Sequence, residues 1–318
     1  MNNVYLPEGL LSATPQNREY ISSLSSLERA MNEGKILEST VLLCDSKMRL
    51  HVDLYGIEGI IEREETLYNP GTTPIKDIAV ITRVGKPVCF KVMAIEHCDG
   101  KPVAILSRRA AQIECTREFI NKLLCGDIIR ARVCHLENFG AFVDIGCGIS
   151  SLCSVDCISV SRISHPSDRL TVGEYIYTVV KAKDTENGRI FVSMRELLGT
   201  WEENAALFEP GQTVAGIIRS VEDYGVFIEL APNLAGLAEI REDNREKLSS
   251  SVGQRAAVYI KSIIPERMKI KLVLIDSYKG APPQKELRYF VDTQNVNHID
   301  RWQYSPLVSN KKVETIFD

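Results

Sequence analysis

The sequence predicts an all-β protein of three small five-stranded barrels in tandem, joined by short helical linkers and followed by a C-terminal extension. Three observations carry that expectation. The stretch NFGAFVDI, Asn138 to Ile145, returns as DYGVFIEL, Asp223 to Leu230. The sequence around it aligns without a gap from Gly126 and Gly211 to Val155 and Ile240, a constant shift of 85 positions. Both copies then pass a Val-Gly pair into a long alternating strand and close on a short one. Alternation with glycine punctuation is the signature of short antiparallel strands, and its recurrence marks repeated units.

In the two clear copies the closing strands read YIYTVVKAKD with RIFVSM, and RAAVYIKSII with KIKLVL. The later copy is five residues shorter between its third and fourth strands. A weaker copy lies upstream: Gly34-Lys35-Ile36-Leu37 opens it, RLHVDLYGIEGII fills its centre, and CFKVMAIEHCDGKPVAILS closes it. The expected organisation is a helical segment over 1–31, a first barrel over 32–109, a linker over 110–125, and a second barrel over 126–196. A linker over 197–209, a third barrel over 210–276 and an extension over 277–318 complete it. Each unit of this size is just large enough to bury its own core.

Helices are expected between the barrels. Thr14-Pro15 reads as an N-cap with a first-turn proline, and Tyr20, Ile21, Leu24, Leu27 and Met31 recur on one face before Gly34. Ala110 to Leu124 carries Ile113, Phe119, Ile120 and Leu123; Leu197 to Phe208 carries Leu198, Trp201, Ala205 and Phe208. In the extension, ELRYFVD and HIDRWQYSP resemble a pair of strands. Their aromatics either pack on the third barrel or extend a binding surface.

Composition is that of ordinary globular protein: 318 residues, 44% hydrophobic, 25% charged, net charge −4. The acidic balance argues against a nonspecific duplex-DNA binder, which needs a basic surface, and leaves single-strand binding open. The N-terminus shows no secretory pattern, and no apolar run reaches the ~20 residues that span a bilayer. Nine cysteines fall between Cys44 and Cys157, which fits free thiols in the cytoplasm. A zinc site from Cys147, Cys153 and Cys157 with His135 or His165 matches no recognised spacing, so no metal and no cofactor is expected. There is no HExxH, GxSxG or GxxxxGK[ST] motif, and no enzyme is expected.

On the second strand of the second unit, Ala141 and Val143 suit the interior, while Phe142 shares its face with Asp144, a pairing that suits solvent. Phe139 precedes Gly140, where a missing side chain lets another group approach. The rings serve either as plugs of the barrel end or as platforms on which bases stack. Lys181 and Lys183 lie on the fourth strand, and Lys261 repeats Lys181. The loop from Ser159 to Arg169 holds Arg162, His165 and Arg169. It either folds over a groove to meet bases and phosphates or is solvated, with Asp168 pairing its own arginines. The matching loop of the third unit holds Arg241, Arg245 and Lys247, diluted by Glu239, Glu242, Asp243 and Glu246.

The run from Gly126 through FGAFVDIG, Ser151-Leu152, the Val-Gly strand and RIFVS resembles the RNA-binding OB-fold repeat of the bacterial small-subunit ribosomal protein S-one. The same repeat is similar to that of polynucleotide phosphorylase. The resemblance covers about Met31 to Asp276. It implies a non-catalytic cytoplasmic protein that holds single-stranded RNA, with mRNA and the small ribosomal subunit as partners and no membrane or small-molecule substrate. It implies RNA contacts at Phe139 and Phe142, and at Tyr224 and Phe227 in the third barrel. It adds the acidic and basic pair Asp184 and Arg189, matched by Ile264 and Lys269. The histidine expected on the third strand is replaced by Ser154, Glu239 and Glu62. Met48 and His51 replace both aromatics in the first barrel, which implies docking rather than RNA binding there. The same repeats also suit an RNA-presenting cofactor of a nuclease, or a protein-interaction scaffold.

Overall fold

The computed structural model describes residues 5–69, 74–184, 186, 188–239, 251–278 and 287–317. It opens with α1, Pro15–Ile21, and α2, Leu24–Asn32. Thr14 caps α1 by accepting from the Asn17 N–H, with Pro15 in the first turn. The single apolar face read from the sequence is split between two helices because the Ser23 hydroxyl accepts from Ser26 N and starts a new one. Side-chain oxygens favour such starts because they satisfy N–H groups that have no partner within the helix.

The first barrel holds β1 (Leu37–Cys44), β2 (Leu50–Leu54), β3 (Ile57–Ile61), β4 (Pro87–Cys98) and β5 (Lys101–Ser107), with the short α3 (Asp77–Ile81) before β4. Its strand order is β1-β2-β3-β5-β4, closed, with β3 and β5 parallel and the other pairs antiparallel. Leu37, Val41, Leu50, Val52, Phe90 and Leu106 fill it, and Leu27 of α2 and Tyr20 of α1 join the same core.

Helix α4 (Arg108–Glu118) follows, capped by the Ser107 hydroxyl. The second barrel is β6 (Ile128–Glu137), β7 (Gly140–Asp144), β8 (Ser150–Ser154), β9 (Tyr175–Asp184) and β10 (Arg189–Ser193). A one-turn helix α5 (Trp201–Ala205), with a capping box from Thr200 and Glu203, leads to the third. That barrel is β11 (Thr213–Glu222), β12 (Gly225–Ala231), β13 (Leu234–Ala238), β14 (Arg255–Ile264) and β15 (Lys269–Tyr278). Both repeat the closed order of the first barrel, including the parallel contact of third and fifth strands. Closure leaves no unpaired edge, which suits small units in a row.

The recurring glycine has a steric cause. A Cβ on Gly140 would stand 2.4 Å from the Cys153 carbonyl oxygen, and one on Gly225 would stand 2.7 Å from that of Ala238. The second and third strands cross too closely there for any side chain, at positions related by the same shift of 85.

The chain forms two compact units: residues up to Leu123 with Arg130–Arg132 and Asp144–Ser150, and the remainder. Within the first, the buried Arg108 guanidinium grips Glu8 through Nε–Oε1 at 2.7 Å and Nη2–Oε2 at 3.1 Å. Burial alone would raise the Glu8 carboxyl, and Arg108 more than offsets it, holding Glu8 below the usual range. Asp144, expected on the solvent face, is instead 2% exposed. Its carboxylate accepts the N–H groups of Glu8, Gly146 and Gly148 and so closes the β7–β8 turn.

Within the second unit the extension forms a strand pair, β16 (Arg301–Gln303) with β17 (Glu314–Ile316). The expected strand at ELRYFVD is absent from its described part, Leu287 to Asp292. Side-chain anchoring takes its place: the Tyr289 hydroxyl accepts from Tyr177 N, and Phe290 lies against Gly199. Trp302, Tyr304 and Phe317 join the apolar core of this unit, and the Tyr304 hydroxyl donates to the Asn233 carbonyl. The extension's aromatics are therefore largely packing residues. No helix of the described residues is long and apolar enough to cross a membrane.

Candidate nucleic-acid interface

Strand β7 places Ala141 and Val143 inside, both fully buried, and leaves Phe142 half-buried on the outer side. Phe139, in the turn before it, is 55% exposed. Their rings meet edge to face, centroids 5.9 Å apart at 90°. Strand β12 does the same with Val226 and Ile228 inside, Phe227 half-buried outside and Tyr224 64% exposed. That pair also meets edge to face, at 6.1 Å and 89°. Rings exposed to this degree plug no barrel end. The edge-to-face contact holds each exposed ring upright without burying its faces.

Two further features of this face carry no repeat signal in the sequence. His135 on β6 stacks on Phe142, centroids 6.4 Å apart, while its Nε2 lies 2.7 Å from Glu137. Phe191 on β10 is half-buried between inward Ile190 and Val192, and pairs directly with Leu152 on β8. The alternation of RIFVS is the available signal for Phe191, since an aromatic there falls on the same side as Arg189.

The charged candidates divide. Asp184 and Arg189 face each other at the open end of the β9–β10 ladder, with Arg189 exposed. In the third barrel Ile264 and Lys269 hold the same register, with Lys269 exposed. Lys181 and Lys261 each occupy a β-bulge, where the fourth strand carries one residue more than the fifth. Lys261 is exposed, whereas Lys181 sends its ammonium to the Cys157 sulfur at 2.9 Å. Burial works against the Lys181 cation, and Cys157 with Asp156 outweighs it, leaving its pKa raised.

The loop of the second barrel is not a cover over the face. Arg162 is exposed, but His165 Nδ1 accepts from Ser167 N and caps a short helical turn. Arg169 is 6% exposed, with Nη2 on Glu229 Oε2 at 2.5 Å. Burial lowers its pKa and Glu229 partly restores it; a guanidinium remains charged even so. The expectation of an RNA-facing Arg169 is therefore corrected: an inter-barrel ion pair holds it. Arg241, Arg245 and Lys247 lie outside the described residues.

In the first barrel His51 stands where Phe142 stands in the second, and lies 2.7 Å from Glu58 and 3.3 Å from Asp45. Arg49 and Glu62 complete an ion cluster there. All nine cysteines are free thiols, and no metal-holding group of His, Cys, Asp or Glu occurs among the described residues.

Closed five-stranded barrels of this strand order have the OB-fold architecture, and residues 123–195 match the family model of the S1 RNA binding domain. The chain is a relative of the small ribosomal subunit protein bS1 across most of its length. It is 31% identical to that of Leuconostoc lactis over 193 residues, 58% of this chain and 45% of the relative. It is 27% identical to that of Rhizobium meliloti (strain 1021) over 280 residues, 85% of this chain and 47% of the relative. For Staphylococcus haemolyticus the figures are 30% over 223 residues, 67% and 55%. The chain spans about half the length of these relatives.

Proposed function

We propose that this chain is a non-catalytic, cytoplasmic protein that holds single-stranded RNA, mRNA among it, and acts in translation with the small ribosomal subunit. The observation that carries this reading is the exposed edge-to-face pair, Phe139 with Phe142, repeated as Tyr224 with Phe227 at the same register of two barrels. Bases stack on such rings with little sequence preference, at ~1–3 kcal/mol each. Asp184, Arg189, Arg162, Lys261 and Lys269 supply the polar rim. The second and third barrels, 126–196 and 210–276, are the binding modules in this reading. The names of the bS1 relatives support the ribosomal setting.

The first barrel, 32–109, has a different role in this reading. Its equivalent face carries an imidazole flanked by the carboxylates of Glu58 and Asp45, and Leu42, Ile78 and Met93 are exposed elsewhere on the barrel. That combination favours docking to protein over binding an anion. The test is a titration with RNA and DNA of equal length at two salt concentrations, joined to co-sedimentation with small ribosomal subunits. RNA binding with co-sedimentation supports the reading. RNA binding without it transfers the function to RNA processing or decay, and no RNA binding at low salt leaves a protein scaffold.

A further inference from the structure

The outer faces of the second and third barrels differ at one register position. In the third barrel Phe227 pairs with Leu237, and Leu237 pairs with Lys271 on the fifth strand. Paired residues in a sheet project to the same side, so Phe227, Leu237 and Lys271 form one outward row. In the second barrel Leu152, the counterpart of Leu237 by the shift of 85, pairs with Phe191. By the same shift Phe142 takes the place of Phe227 on the neighbouring strand, so the row there is Phe142, Leu152 and Phe191. All three are half-buried, whereas Lys271 is exposed.

The cations follow the same division. In the third barrel the bulge lysine Lys261 is exposed on the strand beside Lys271, while Lys269 is matched by the exposed Arg189 of the second barrel. In the second, the bulge lysine Lys181 is bonded to Cys157. One register position of the row thus holds an aromatic in the second barrel and a cation in the third. Two strand spacings of ~4.8 Å separate the ends of each row, a span that lets one strand of RNA touch both.

We propose, resting on the single-stranded RNA reading above, that the two barrels grip RNA by different physics. Phe191 is a third stacking platform of the second barrel, and Lys271 is a phosphate contact of the third. Stacking is insensitive to salt, whereas each phosphate contact releases counterions and steepens the salt dependence, by ~0.7 in the log–log slope for a single strand.

The test titrates an unstructured RNA against the full chain at a series of salt concentrations, for wild type, Phe191→Ala, Phe191→Leu, Lys271→Ala and Phe142→Ala. Phe191→Ala is expected to weaken binding about 5- to 150-fold with the slope unchanged. Phe191→Leu, which keeps apolar bulk for folding but lacks the ring, is expected to weaken it similarly. Lys271→Ala is expected to flatten the slope by about 0.7. Wild-type affinity in Phe191→Leu, or an unchanged slope in Lys271→Ala, overturns the division. If Phe142→Ala is weakened while these two variants are not, this inference falls and the RNA reading stands. If wild type binds no RNA, both fall.

Discussion

Arg169 of the second barrel and Glu229 of the third are 60 residues apart in sequence, and their side chains meet at 2.5 Å in a site almost closed to water. Arg219 Nε also reaches Glu229, at 2.6 Å, and its Nη1 reaches Asp168 at 3.0 Å. Beside this quartet Asn233 uses its whole amide: Oδ1 accepts from Val160 N, and Nδ2 donates to the carbonyls of Arg195 and Gly199. The second and third barrels are thereby joined by buried polar contacts rather than by a free linker. Removing the Glu229 charge strands the buried Arg169 and leaves Arg219 with Asp168 alone, which costs ~3–5 kcal/mol. Glu229→Gln is expected to lose about that much in urea denaturation, far more than the exposed-pair control Arg117→Gln.

The β7–β8 turn makes a second stability prediction. Gly148 has φ of 75°, and a Cβ there would fall 1.8 Å from Arg108 Nη2. Gly188 has φ of 62°, and a Cβ added to it would meet nothing within 4 Å. Gly188→Ala is expected to cost only the left-handed penalty of ~1–2 kcal/mol. Gly148→Ala adds displacement of the Arg108–Glu8 pair, for a total nearer ~3–5 kcal/mol. Thermal unfolding of the two variants side by side checks the difference.

The extension is expected to hold on more weakly at alkaline pH. His298 bonds Asp127 at 2.7 Å through Nδ1 and Asp300 at 3.2 Å through Nε2, and these contacts raise its pKa. A raised folded-state pKa means that the contribution is complete below the unfolded value of ~6.5 and lost as pH climbs through the folded value. Amide exchange over residues 296–300 is expected to quicken between pH 6 and pH 9, beyond the intrinsic pH effect, in wild type but not in His298→Gln.

Barrels two and three are legible in the sequence because their constraints are local and repeated. Alternation sorts Ala141 and Val143 inward, and the crossing of two strands demands Gly140 and Gly225. The places of Arg169 and Asp144 are not legible because their partners, Glu229 and the Glu8 backbone, are remote in sequence and belong to no repeating pattern. Phe191 is half legible: the alternation of RIFVS turns its ring outward, but the order of residues does not display the pairing that sets it beside Leu152. ELRYFVD has strand composition, yet its aromatics are held by Tyr177 and Gly199 rather than by a partner strand.

In the proposed function the outer aromatic pairs bind RNA and do not hold the barrels together. Affinity of Phe142→Ala/Phe227→Ala for an unstructured RNA oligomer, measured beside its thermal unfolding, separates the two roles. With ~1–3 kcal/mol per stacked base, binding is expected to weaken at least about 30-fold while the melting temperature stays within a few degrees of wild type. Wild-type affinity in a folded double variant, or loss of the fold itself, would contradict it.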